Sequence, residues 1–122
     1  MRPDSQLAKA LVIRHLEWLS DQISNAKRIA ANSCRFGIFG TSISATWLCG
    51  ALPSAASFFV DEDPGRINRT HMGLPILAPD QVSADAHVFI PLIPAAAESV
   101  ASRLAGLQAR FHVPPRIDGQ AA

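Results

Sequence analysis

The sequence has 122 residues, 48% of them hydrophobic and 17% charged, which is typical of one folded domain and excludes a disordered chain. Its formal net charge is +1 and its arginines are scattered, so a basic nucleic-acid-binding surface is not expected. No apolar stretch approaches the ~20 residues of a membrane span, and we therefore expect a soluble, cytoplasmic protein without a membrane partner.

The two cysteines do not form a metal-binding pattern. Neither Cys34 nor Cys49 belongs to a C-x-x-C pair, and no histidine stands at ligand spacing from either of them. We therefore expect two reduced thiols and no metal site. Nothing else in the chain predicts a resident cofactor.

The first predicted element is one long helix over residues 5–31. Asp4 or Ser5 can serve as its N-cap, and Trp18 lies off its main apolar stripe. We expect residues 1–34 to pack as a helix on the domain, and the same helix is a candidate contact for a second copy or a partner domain. The stripe recurs at spacings of three to five and consists of Leu7, Leu11, Leu16, Leu19, Ile23, Ala26 and Ala30.

From residue 35 to residue 115 the chain alternates short apolar runs with helical patterns, which predicts a Rossmann-like α/β domain. Continuous apolar runs are typical of strands that are buried on both faces of a parallel sheet. The predicted strands are 36–39, 57–61, 73–77 and 86–91, with 111–113 as a further short strand. The remaining predictions are helices over 41–52 and 94–107, a helical turn at 78–82, a polar loop at 66–72 and a flexible tail at 116–122.

These elements predict a small parallel sheet of four or five strands with helices on both faces. Right-handed crossovers place the first strand centrally, with the second and third on one side and the fourth on the other. The switch point then lies between the first and fourth strands, where the loops 40–44 and 91–95 meet. Pro75 favours an edge position for the third strand because proline cannot donate to a ladder.

The glycine turn after the first strand is the first candidate ligand site. Phe36–Phe39 leads into Gly40, Thr41, Ser42 and Ser44, a pattern weaker than the full G-x-G-x-x-G. Backbone N–H groups at a helix start favour an anion, and the three hydroxyls can add hydrogen bonds to a phosphate. The same residues also fit a plain helix start with Thr41 or Ser42 as the cap, so both interpretations stay open.

Carboxylates follow the second predicted strand. In dinucleotide sites a carboxylate at the position of Asp61 accepts a hydrogen bond from a ribose, and the alternative is that Asp61 caps the following turn. Glu62 and Asp63 are predicted to be solvated. Arg66 on the next loop is a candidate for phosphate or sugar contact, and an ordinary exposed arginine is the alternative.

The sequence predicts no catalytic residue. Ser42 is not part of G-x-S-x-G, and no histidine is placed by sequence to activate it. Asp61 and Asp63 would point to opposite faces if the strand continued, which is poor geometry for acid–base chemistry. We therefore do not expect the isolated chain to be an enzyme.

Four segments together resemble one family, the C-terminal domain of the three-domain SAM-dependent sugar C-methyltransferases. The resemblance is most specific at the acidic strand end, residues 60–64. The same layout occurs in the N-terminal sugar-nucleotide-binding domain of bacterial sugar acyltransferases. The four segments are GIFGTSISATWLCGAL, FFVDEDPGR, HMGLPILAPDQV and AHVFIPLIPAAAESVASRL.

The resemblance implies a Rossmann-like domain that holds a nucleotide-sugar, because the methyl donor of such enzymes binds in a separate domain. If the chain is part of an enzyme, that enzyme is expected to be a SAM-dependent methyltransferase. The chain departs from the family at Gly65–Arg66, where a lysine is usual after the proline, and this leaves the ligand open. The leading prediction is a nucleotide or nucleotide-sugar binding module. The alternative is a structural or protein-interaction domain that keeps the fold without a ligand.

Overall fold

A computed structural model describes residues 3–114, with side chains from Gln6 onward. The tail predicted at 116–122 lies outside the described residues. None of the helices in the described part of the chain is both long and apolar enough to cross a membrane. The helices are α1 (Pro3–Ala31), α2 (Ile43–Ala51) and α3 (Pro94–Arg103), with a 3-10 turn at Pro79–Gln81. The strands are β1 (Arg35–Phe39), β2 (Phe58–Val60), β3 (Thr70–His71), β4 (Leu74–Leu77), β5 (Ala86–Phe89) and β6 (Arg110–His112).

The strands form one six-stranded sheet in the order β3-β4-β2-β1-β5-β6. Its pairs are parallel except for β3, which runs antiparallel to β4. The α/β fold and the predicted order around the central strand are therefore confirmed. From β1 the chain adds β2 and β4 on one side of the sheet and then β5 on the other side of β1. This change of side places a switch point at the carboxyl ends of β1 and β5.

The segment predicted as a polar loop contains the short strand β3. Met72 and Gly73 both have positive φ angles, 51° and 78°, and join β3 to β4 as a two-residue hairpin turn. On the edge of β4 that faces away from β2, the Ile76 N–H donates to the Arg69 carbonyl at 2.9 Å. Among the parallel strands, β4 therefore lies at the edge, as Pro75 predicts, and the antiparallel β3 covers that edge.

Core packing follows the alternation of side chains along the strands. A first cluster joins Phe36, Ile38 and Phe59 to residues of α1 and α2. A second cluster contains Phe58, Val60 and Val88. Residues of α3 form a third cluster with Ile90, and the partly buried Phe39 and Phe111 contact both the second and third clusters.

The long helix α1 packs on the sheet through its second half. Trp18 is only 6% exposed and Ala26 is fully buried. The apolar side chains of the first half lie in solvent, so the predicted stripe is divided between core and surface. The exposed members of the stripe are Leu7, Leu11 and Leu16, and Val12 and Ile13 beside them are exposed as well.

Two histidines connect β5 and β6 on the side of the sheet that faces α1. A nitrogen–nitrogen hydrogen bond of 2.7 Å joins His87 Nδ1 to His112 Nε2, and the rings stack with centroids 5.0 Å apart. Burial holds the pKa of His112 below its ordinary value of 6.5, and the charges of His87, Arg110 and Arg28 lower it further. The fold therefore favours the neutral His112 ring.

This preference predicts a pH dependence of stability. The unfolded chain binds the His112 proton near pH 6.5, whereas the folded chain binds it only at lower pH, so the free energy of unfolding falls as the pH drops below 6.5. The variant His112→Gln should remove this part of the slope, as measured by urea unfolding at a series of pH values. An unchanged slope in His112→Gln would contradict the prediction.

Candidate functional site

The loop after β1 turns at a position that only glycine suits. Gly40 has a φ angle of +86°, a backbone conformation that L-residues rarely adopt. Its N–H donates to the Val60 carbonyl at 2.6 Å, and the Asp61 N–H donates to the Leu77 carbonyl at 3.0 Å. These bonds tie together the carboxyl ends of β1, β2 and β4, so the loop has a fixed position beside Asp61.

Replacing this glycine tests the turn. Gly40→Ala should lower the free energy of unfolding by about 1–2 kcal/mol, because a side chain with positive φ is strained although no atom lies within 4 Å of the added carbon. Gly106→Ala, with equally open space and no positive φ, should change it little. Urea unfolding of both variants measures the difference, and equal stabilities would contradict the assigned turn.

The start of α2 supplies unpaired backbone donors and hydroxyls. Ser42 occupies the N-cap position, but its side chain makes no capping hydrogen bond. Its carbonyl accepts instead from the Thr46 N–H and the Thr46 hydroxyl. Ser42 and Ser44 are both exposed. The first N–H groups of a helix have no partner within the helix, so this end of α2 is open to an external anion.

Thr41, Asp61 and Arg66 meet beside that helix start. The Thr41 hydroxyl donates to Asp61 Oδ2 at 3.3 Å and accepts from Arg66 Nη1 at 3.0 Å. Arg66 Nη1 lies 3.5 Å from the same carboxylate oxygen. The Asp61 side chain is 11% exposed and the Arg66 side chain 55% exposed. A buried carboxylate therefore anchors a guanidinium whose outer side faces solvent.

Asp61 also caps its own turn, as the alternative interpretation expected. Its Oδ1 accepts the Asp63 N–H at 2.9 Å, and Asp63 Oδ1 accepts the Gly65 N–H at 2.9 Å. Asp63 Oδ2 lies 3.6 Å from Arg66 Nε. Two successive side-chain turns thus shape the loop that carries Arg66. Asp63 was predicted to be solvated, and it is exposed, but its role in placing Arg66 was not foreseen.

The other polar side chains near this edge have structural partners. Glu62 turns away from the site and accepts from Arg103 Nε of α3 at 3.0 Å. His71 Nε2 lies 2.8 Å from the Thr46 hydroxyl, which links β3 to α2. The His71 ring also meets Phe59 edge-on. These contacts pair distant positions of the sequence, so no local pattern could have indicated them.

The two loops at the switch point each expose one large apolar side chain. Ile43, at the start of α2, is 88% exposed, and Ile93, just before α3, is 63% exposed. Isolated apolar residues are common on protein surfaces, but here they begin the two helices that follow β1 and β5. The edge therefore combines a cation, a carboxylate, hydroxyls and two apolar surfaces.

Of the site residues predicted from sequence, the structure joins Gly40, Thr41, Asp61 and Arg66 through the contacts given above. Ser42 and Ser44 lie on the adjoining helix start, without a hydrogen bond to Arg66. Within residues 3–114, no group of three or more His, Cys, Asp or Glu side chains is arranged to hold a metal ion. A scan of protein-family models and a search of curated proteins found nothing that matches the chain.

Proposed function

We propose that the chain is a binding module that holds a nucleotide or a nucleotide-sugar at the carboxyl end of its sheet. The observation that carries the proposal is the Arg66 guanidinium held by Thr41 and Asp61 beside the open start of α2. A half-exposed arginine next to unpaired helix N–H groups is the arrangement that favours a phosphate. The position at the switch point of a parallel sheet supports the same proposal.

Each part of the ligand has a corresponding group. The phosphates bind the first N–H groups of α2, the hydroxyls of Ser42 and Ser44, and Arg66. A ribose hydroxyl donates to Asp61, which accepts two hydrogen bonds within the chain, lies 3.5 Å from Arg66 Nη1 and, as a carboxylate, has capacity for about four. The planar base packs against the exposed Ile43 and Ile93 side chains.

A nucleotide-sugar is favoured over a redox dinucleotide by the resemblance of the strand ends to the sugar C-methyltransferase domain. The likeness includes the glycine turn at Gly40 and is most specific at the acidic end of β2. The module binds its ligand and performs no chemistry alone. In an enzyme of that class it would present the sugar to a methyl donor held in another domain.

Calorimetric titration of the full chain with UDP-glucose tests the proposal, with NAD and free glucose as comparison ligands. Saturable binding of UDP-glucose that is tighter than that of NAD, with no heat from glucose, is the expected result. Tighter binding of NAD would overturn the choice of nucleotide-sugar. No binding of either nucleotide at millimolar concentration would overturn the proposal as a whole.

A protein-interaction role is the second candidate, favoured by the first half of α1. Five large apolar side chains between residues 7 and 16 lie at least half in solvent. We infer that a second copy of the chain covers them. Trp18 is buried in its own chain and takes no part.

Replacing Leu11 and Leu16 together by Gln should weaken this pairing. Each copy would bury two half-exposed leucines, so the dimer loses four of them, worth roughly 4 kcal/mol, and its dissociation constant should rise roughly a thousandfold. Met72→Gln, an exposed apolar residue outside α1, is the matched control and should leave the dimer intact. Sedimentation velocity over a concentration series measures both. A wild-type chain that stays monomeric at every concentration would contradict the inference.

A further inference from the structure

A second concave feature lies between α1, β5 and β6, away from the switch-point edge. His87 in this groove pairs in register with Phe36 near the start of β1, whereas the candidate nucleotide site follows the end of that strand. The groove has a volume of about 500 Å³, within the range of small-molecule sites. It is lined by Asn25, Arg28, Ile29, Asn32, His87, Phe111, His112 and Val113.

Cationic and imidazole side chains converge on this groove from three elements. Arg28 comes from α1, His87 from β5 and His112 from β6, and Arg110 is in register with His87 on the neighbouring strand. Arg28 and Arg110 are both close enough to His112 to lower its pKa. None of the eight lining residues is acidic. The positive charge has no carboxylate among these residues to balance it, and charge of this kind attracts an anion.

The polar groups are fixed, and an apolar wall adjoins them. The Arg28 guanidinium donates to the Asn25 side-chain oxygen, and the Asn32 side chain donates to the Arg28 carbonyl at 2.9 Å. The two histidine rings hold one another through their 2.7 Å hydrogen bond. Ile29 and Phe111 are partly buried at the groove and offer apolar surface. The combination suits a charged group on an apolar body.

We propose that the groove between α1, β5 and β6 binds a small organic oxyanion, a carboxylate or a phosphate carried on an apolar body. Arg28 and Arg110 neutralise the oxyanion, and the histidine pair donates a ring N–H to it. The apolar body lies against Phe111 and Ile29. The site is separate from the nucleotide site and does not depend on it.

The test uses benzoate as a carboxylate probe and inorganic phosphate as the other oxyanion, each titrated into the full chain. Histidine ring signals report binding by NMR. Saturable shifts of the His87 and His112 rings are the expected result. Tighter binding of benzoate assigns a carboxylate ligand, and tighter binding of phosphate assigns a phosphate ester; either supports the proposal.

Charge variants decide whether the groove itself is responsible. Arg28→Gln and, separately, Arg110→Gln should each weaken binding about tenfold or more, because a charge-assisted hydrogen bond is lost. Arg14→Gln removes the same charge from the exposed part of α1 and should bind as the wild type does. Two independent variants on two elements keep the test valid if one of them disturbs folding. Absence of ring shifts at millimolar benzoate and phosphate, or wild-type affinity in both groove variants, would overturn the proposal.

Discussion

Gly37→Ala should lower the free energy of unfolding by about 3 kcal/mol, near the upper end of the usual cost of overpacking a core. A Cβ at this position would lie 2.6 Å from Phe58 Cδ2 and closer still to two other ring carbons. Gly37 and Phe58 are register partners on β1 and β2, and Phe58 is fully buried. The ring cannot move without disturbing the second core cluster.

Three further variants separate this clash from other effects of the missing glycine. Gly50→Ala lies inside α2 with no atom within 4 Å of the added carbon, and it should stabilise the chain by up to about 1 kcal/mol. Combining Gly37→Ala with Phe58→Leu should cost less than the sum of the two single changes, because a smaller side chain relieves the contact. Urea unfolding measures the wild type and the four variants Gly37→Ala, Phe58→Leu, their combination and Gly50→Ala. A Gly37→Ala variant as stable as the wild type would contradict the packing described.

Asp61→Ala should lower stability by about 2 kcal/mol and weaken nucleotide-sugar binding about tenfold or more. The substitution removes the acceptor of the Asp63 N–H and the Thr41 hydroxyl at a position only 8% exposed. It also frees Arg66 from the carboxylate that holds it beside the start of α2. Urea unfolding measures the first effect and calorimetric titration with UDP-glucose the second.

Glu62→Ala is the matched control for this carboxylate. Glu62 is the next residue along the chain, but its side chain pairs with Arg103 at the surface. Exposed ion pairs contribute little to stability, so this variant should behave nearly as the wild type in both measurements. If the two variants lost affinity equally, the loss would not depend on the contacts of Asp61, and the role assigned to Asp61 would be wrong.

The sequence predicted the strand order because the decisive signals are local. The apolar runs ending at Phe39 and Val60, the turn at Gly40 and the helix that begins at Pro94 each lie within a few residues. Right-handed crossovers then leave few ways to order such strands. The sequence also brought Gly40, Thr41 and Asp61 to one edge, since parallel strands end together.

Contacts between distant residues could not be predicted in the same way. The β3 hairpin turns at Met72–Gly73, which lacks the Asn-Gly signature of such turns. The His87–His112 pair joins positions 25 residues apart and depends on β6 lying beside β5. Helical periodicity predicts one apolar stripe on α1. It cannot show that only the second half of the helix packs on the sheet. The exposed apolar surface on the first half of α1 and the groove between α1, β5 and β6 therefore depend on the tertiary arrangement.

We propose that a nucleotide-sugar binds where Gly40, Thr41, Asp61 and Arg66 meet. Titration of the ¹⁵N-labelled chain with UDP-glucose, followed by backbone amide shifts, tests it most directly. We expect the largest shifts at residues 40–44 and 61–66, with little change at His87 and His112. Shifts confined to the groove residues, or no shifts at millimolar UDP-glucose, would contradict it.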